Sequence, residues 1–190
     1  ALTFAVKAAM EDELAQTKLA TALENTVGAT EAQVKATEDM ISAMSRATGT
    51  ADDELRPAFA ALVLGSHDIA KATDALAIAQ DVATSTGKSL AEVSDAMSKG
   101  FGGNYKALAA LSPELKVMIK EGASLDTVMS ILADNFGGAT AAAADTAAGK
   151  FKIMKNSISE TKESIGAALL PAVAAVLPYL QKLADWAQQN

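Results

Sequence analysis

Apolar residues recur along the chain at spacings of three and four, and most such runs stop at a glycine and start at a hydroxyl or acidic residue. That period belongs to α-helices with one buried face. Val6, Met10, Leu14 and Leu23 trace a drifting stripe that predicts a first helix to Val27, ended by Gly28. Thr30 opens a second helix, with Gln33 completing a capping box, and this one closes near Thr48 and Gly49. Thr50 or Asp53 opens a third, TADDELRPAFAALVLG, which Gly65 is expected to close. Pro57 is tolerable there only in or near the first turn, because farther in its ring clashes with the preceding carbonyls.

The next boundary, TSTGKS at Thr84 to Ser89, ends like a phosphate-binding loop. Such a loop needs a glycine where Val82 stands and must follow a strand, whereas Leu76, Ala79, Val82 and Ala83 mark a helix. The letters read instead as punctuation: Gly87 just past a helix C-terminus, then Ser89 and Glu92 as a second capping box. After the helix from Leu90 to about Lys99, Gly102 and Gly103 make a turn and Asn104 is the expected N-cap of a short helix to Leu111. Ser112 and Pro113 open another helix that stops at Gly122. Ser124 caps LDTVMSILADNF, which ends at Gly137 and Gly138.

From Ala139 to Leu170 no proline interrupts, and Phe151, Met154, Ile158, Thr161, Ile165 and Ala168 alternate spacings of three and four. This is a heptad stripe of coiled-coil type, although Lys155 and Lys162 face serines in the parallel register and select no partner. It either packs on the preceding helices or contacts another chain. With Leu169 and Leu170, it exposes more apolar surface than monomers usually tolerate unless something covers it. An uncharged run follows from Ser164 to Gln181, at the lower margin for spanning a bilayer. Pro171 and Pro178 are expected to divide it, and Gly166 with Pro171 predicts a bend that lets the arm swing outward. Leu180, Leu183 and Trp186 continue an amphipathic pattern. The resulting expectation is an all-α chain, with a compact helical-hairpin domain over 1–138 and a helical arm over 139–190.

Composition narrows what this architecture can do. Half the residues are hydrophobic, only 4% are aromatic, and alanine is the commonest type, which suits close helix packing and disfavours a roomy cofactor or small-molecule site. The net charge of -7 opposes sequence-specific nucleic-acid binding, and the one basic cluster, Lys150, Lys152 and Lys155, reads as a solvated face. With no cysteine and a single histidine, His67, thiolate and multi-histidine metal sites are excluded. Asp52, Asp53 and Glu54 suit the first turn of a helix and do not make a catalytic pair. No constellation supports an enzyme, and no cofactor is expected. The chain begins without Met in an already helical pattern, which reads as a piece of something longer or, alternatively, as a chain whose initiator Met has been processed.

Three stretches carry a family likeness: ELRPAFAALV (Glu54 to Val63), GGNYKALAAL (Gly102 to Leu111) and LADNFGGATAAAADTAAGKFKIMKNSISETKESIGAALLPAV (Leu132 to Val173). They resemble the tail tape-measure proteins of long-tailed bacteriophages and prophages, from about Asp53 onward. The third is the most specific, with Phe-Gly-Gly, an alanine-rich stretch, a basic helix and an Ile-Gly-x-x-Leu-Leu-Pro exit in one order. The resemblance implies a structural protein that sets tail length, scaffolds the tail tube from within its lumen and leaves ahead of the genome. It implies residence in the virion tail lumen, and in the host cytoplasm during assembly. The implied partners are tail-tube and tail-tip proteins, tail assembly chaperones and further copies of the chain, with the host membrane a contact during ejection. As one unbroken helix the chain would reach only about 285 Å, and its glycines and prolines break it, so it reads as a local domain rather than the ruler rod. The competing expectation is a membrane-active helical protein that inserts its C-terminal apolar arm into the host envelope.

Overall fold

The computed structural model describes the backbone of residues 2–189 and the side chains of residues 4–176 and 178. The protein is all-helical, with no strand among the described residues. In chain order the helices are α1 (Leu2–Val27), α2 (Glu31–Thr48), α3 (Asp52–Ser66), α4 (Ile69–Thr86), α5 (Leu90–Phe101), α6 (Tyr105–Ala109), α7 (Pro113–Lys120), α8 (Leu125–Phe136), α9 (Ala139–Asp145) and α10 (Ala147–Gln189).

Local chemistry sets most boundaries. Thr30 and Ser89 both form full capping boxes, each side chain accepting from the N3 backbone while Gln33 or Glu92 accepts from the cap N–H. Asp68, Ser112 and Ser124 cap α4, α7 and α8 through side-chain oxygens. Gly87 ends α4 at φ 73, a left-handed conformation that glycine adopts without a Cβ penalty. Asn104 precedes α6, but its side chain makes no cap hydrogen bond.

Two compact units result. The larger, Gln16–Asn156, is centred on α3, α4 and α5, which pack against one another. Helix α2 lies on α3 and α9, α8 and α9 lie on α4, and α6 and α7 lead from α5 to α8. Leu55, Phe59 and Leu62 of α3 share one continuous buried cluster with Leu76 and Val82 of α4 and Val93 and Met97 of α5. The smaller unit comprises Ala1–Ala15 and Ser157–Asn190, the first part of α1 and the remainder of α10. There Gly166 is buried, and a Cβ on it would strike the Ala5 carbonyl and the Ala9 methyl, so its bareness serves close helix packing.

Several expectations change. Gly65 does not close α3: the helix continues through Ser66, and His67 ends it at φ 51 with its N–H on the Val63 carbonyl. Gly65 is glycine because α5 crosses there, where a Cβ would lie 2.6 Å from Ser98 Oγ and 2.7 Å from Ser98 Cα. Pro57 stands inside α3, beyond the first turn. The hydrogen bond it forgoes would go to the Asp53 carbonyl, at the helix entrance where water can replace it. The run from Ala139 is not one helix. Thr146 adopts an extended conformation between α9 and α10 and its hydroxyl accepts from Gly149 N–H, a cap hidden in the alanine-rich sequence.

The residue-138 boundary also falls inside the larger unit. Asp81 of α4 accepts from the Gly138 and Thr140 N–H groups, tying the entrance of α9 to α4. At the other end, α10 runs unbroken through Pro171 and Pro178, so the prolines do not divide it. Ala167, whose carbonyl loses its partner at Pro171, is exposed and open to water. The pattern at Leu180, Leu183 and Trp186 lies outside the described side chains.

Candidate interaction surface

Thr146 starts α10, and two contacts fix which way it faces in the larger unit. Ile153 packs against Gly49 at the end of α2, and Asn156 Nδ2 donates to the Gly49 carbonyl at 2.6 Å. With Ile153 and Asn156 turned inward, helical geometry turns Phe151 and Met154 outward, and they are 64% and 51% exposed. In the smaller unit Gly166 faces α1, while Ile158 and Ile165 are 50% and 53% exposed. Val173 and Val176 extend the same exposed row, and Leu169 and Leu170 are half-buried. On a 3.6-residue helix Phe151, Met154, Ile158, Ile165, Leu169, Val173 and Val176 fall within an arc of about 100°, whereas Leu170 lies to one side. The arrangement is an apolar stripe on one helix, whose arc also takes in Lys155 and Lys162.

The glycines singled out in the sequence do not converge on a site. Gly87 ends α4, Gly102 and Gly103 turn the chain into α6, and Gly137 and Gly138 join α8 to α9. Gly166 and Pro171 both lie within unbroken α10.

Around TSTGKS, the start of α5 is capped from within the chain. Glu92 Oε2 accepts from Ser89 N at 2.9 Å and from Ser89 Oγ at 2.8 Å. These bonds, backbone first and then side chain, hold the Glu92 carboxyl below its usual range against an opposing effect of burial, with help from the Lys88 charge. Lys88 and Ser89 border a shallow cleft of about 200 Å³ with Thr50, Gln80, Thr84 and Lys152.

The acidic cluster at the start of α3 also has an internal partner. Arg56, itself buried, meets Glu38 of α2 at 2.9 Å, Asp52 at 2.8 Å and Asp53 at 3.7 Å. Two half-buried carboxylates and an exposed one thus surround one guanidinium, a charge-assisted tie between α2 and α3. Sequence reading missed Arg56 and Asp81: Asp81 acts on an element far along the chain, and Arg56, although Asp52 and Asp53 stand one turn before it, reaches Glu38 only once α2 packs on α3. The only advance signals were an arginine within an apolar run and an aspartate beside an otherwise apolar face.

No helix among the described residues is long and apolar enough to cross a membrane. Comparison with family models, curated proteins and solved structures finds no match to this chain.

Proposed function

We propose that this chain is a structural assembly domain of a phage tail tape-measure protein, acting through helix contacts on the exposed face of α10. The observation that carries the reading is the stripe itself: Phe151, Met154, Ile158 and Ile165 are each at least half exposed on one helix face. Covering such side chains fully is worth on the order of 1.5 to 3 kcal/mol each, which is the driving force a scaffold contact needs. The tape-measure assignment itself is supported by the order of the Leu132 to Val173 motifs. In this role the larger unit holds and orients α10, the stripe meets tail-tube or tip proteins, chaperones or another copy, and no cofactor takes part.

The test is Ile158→Asp together with Ile165→Asp in the parent tail gene. We expect a chain with unchanged helical circular dichroism and cooperative melting that fails to form tails. Normal tails from this variant would refute the assembly reading, and loss of folding would show the stripe to be a local core. A membrane role is tested in parallel by flotation of the wild-type chain with anionic lipid vesicles.

A further inference from the structure

Resting on the reading of α10 as a contact surface, we propose that the Phe151 end of the stripe docks into a cleft on a second copy of this chain, between α4, α5 and α8. This cleft, of about 360 Å³, is floored by half-buried Ile78, Phe101, Leu125 and Met129 and rimmed by Asp74 and Asp126. Both carboxylates are exposed and hold no ion pair among the described residues. Lys71 also borders the cleft, so two acidic groups face one basic one and the rim stays net negative.

The complementary element lies on the same larger unit. Phe151 and Met154 project from α10, with Lys155 four residues beyond Phe151 on the same face and Lys150 beside it. Since Phe151 is 64% exposed, it does not fill the cleft of its own chain. Charge decides the occupant. Copies with a net charge of -7 repel at long range, so a contact between them needs a local basic patch. Lys150, Lys152 and Lys155 form the one basic cluster along the sequence, and it surrounds the exposed aromatic. An aromatic anchor in an apolar pocket, with opposite charges at the rim, is the arrangement that concentrates binding energy at protein contacts. Every copy carries both halves, so the contact closes as a reciprocal pair or propagates head to tail.

Sedimentation velocity of the full chain over a dilution series tests this, at low salt and at about 1 M salt, where the Debye length falls to about 3 Å. Wild type should self-associate, more weakly in high salt. Phe151→Ala should weaken association tenfold or more, on the order expected for a central anchor. Asp74→Lys and Lys155→Glu should each weaken it by on the order of tenfold, and the variant carrying both should recover. All three positions are exposed, so circular dichroism and melting should not change. Sensitivity to Phe151→Ala without sensitivity to Asp74→Lys would overturn the cleft while leaving the α10 contact standing. Failure of the double charge swap to recover would overturn the pairing. Association indifferent to both positions would overturn the cleft and any contact between copies through α10, leaving the α10 contact with other tail proteins to the assembly test. A wild type that stays monomeric but floats with anionic vesicles would overturn the second-copy occupant and assign the stripe to lipid.

Discussion

Helix α3 presents Leu55, Phe59 and Leu62 at spacings of four and three, and helix α10 presents Phe151, Met154 and Ile158 at three and four. Both helices also contain proline. The α3 residues are wholly buried, because α2, α4 and α5 all pack on that helix, while the α10 residues are half exposed or more. One periodicity thus yields a core in one place and an open face in another. The pattern specifies a face that can be buried, and the neighbours decide whether it is. On α10, Ile153 and Asn156 turn inward within the larger unit and Gly166 meets α1 within the smaller one, which leaves Phe151, Met154, Ile158 and Ile165 outward.

This contrast is most easily broken at the core. Phe59→Ala should destabilise the chain by about 3 to 5 kcal/mol through lost burial and a residual cavity, read as a lower urea midpoint. A loss under about 1 kcal/mol would mean that α3 is not the centre of the core. Next in size is Arg56→Ala, which leaves Glu38 and Asp52 half-buried without their cation. We expect a loss of about 3 kcal/mol, partly recovered when Glu38→Gln and Asp52→Asn are added. No recovery would show that Arg56 acts by packing rather than by charge.

Smaller still is Ser89→Ala, which should cost about 1 kcal/mol by removing a helix cap. Its pH dependence sharpens the assignment. Glu92 is held below its usual pKa in the folded chain, so its contribution is present above the ordinary glutamate value of about 4.3 and is lost as pH falls through the lower folded value. The stability gap between wild type and Ser89→Ala should therefore narrow in acid, and a gap that widened there would refute the capping box. The smallest effect belongs to the open face: Met154→Gln should shift stability by no more than about 0.5 kcal/mol, measured by thermal melting. A large loss would place Met154 in a core and remove the contrast between the two helices.

Much of the helix order was legible because caps act within three or four residues. Thr30 with Gln33 and Ser89 with Glu92 are complete in the local sequence, and no distant residue is needed to form them. The errors lie where a distant element supplies the reason. Gly65 resembles a helix stop in sequence, but it is a crossing point that only the placement of Ser98 reveals. Gly138 resembles a boundary, yet Asp81 binds it into the larger unit. Thr146 is the exception: its cap onto Gly149 is local, but the surrounding alanines, with their high helix propensity, suggested continuity.

For the candidate surface, the sequence by itself determined that Phe151, Met154, Ile158 and Ile165 share one helix face, since a 3.6-residue period follows from backbone geometry alone. Whether that face looked inward or outward was decided only by the tertiary structure. The hydrophobic effect rewards burial without direction, and several faces compete for a limited inner surface. On α10 the competition is settled by the Gly49 contact of Ile153 and Asn156, and by the close approach of Gly166 to Ala5 and Ala9.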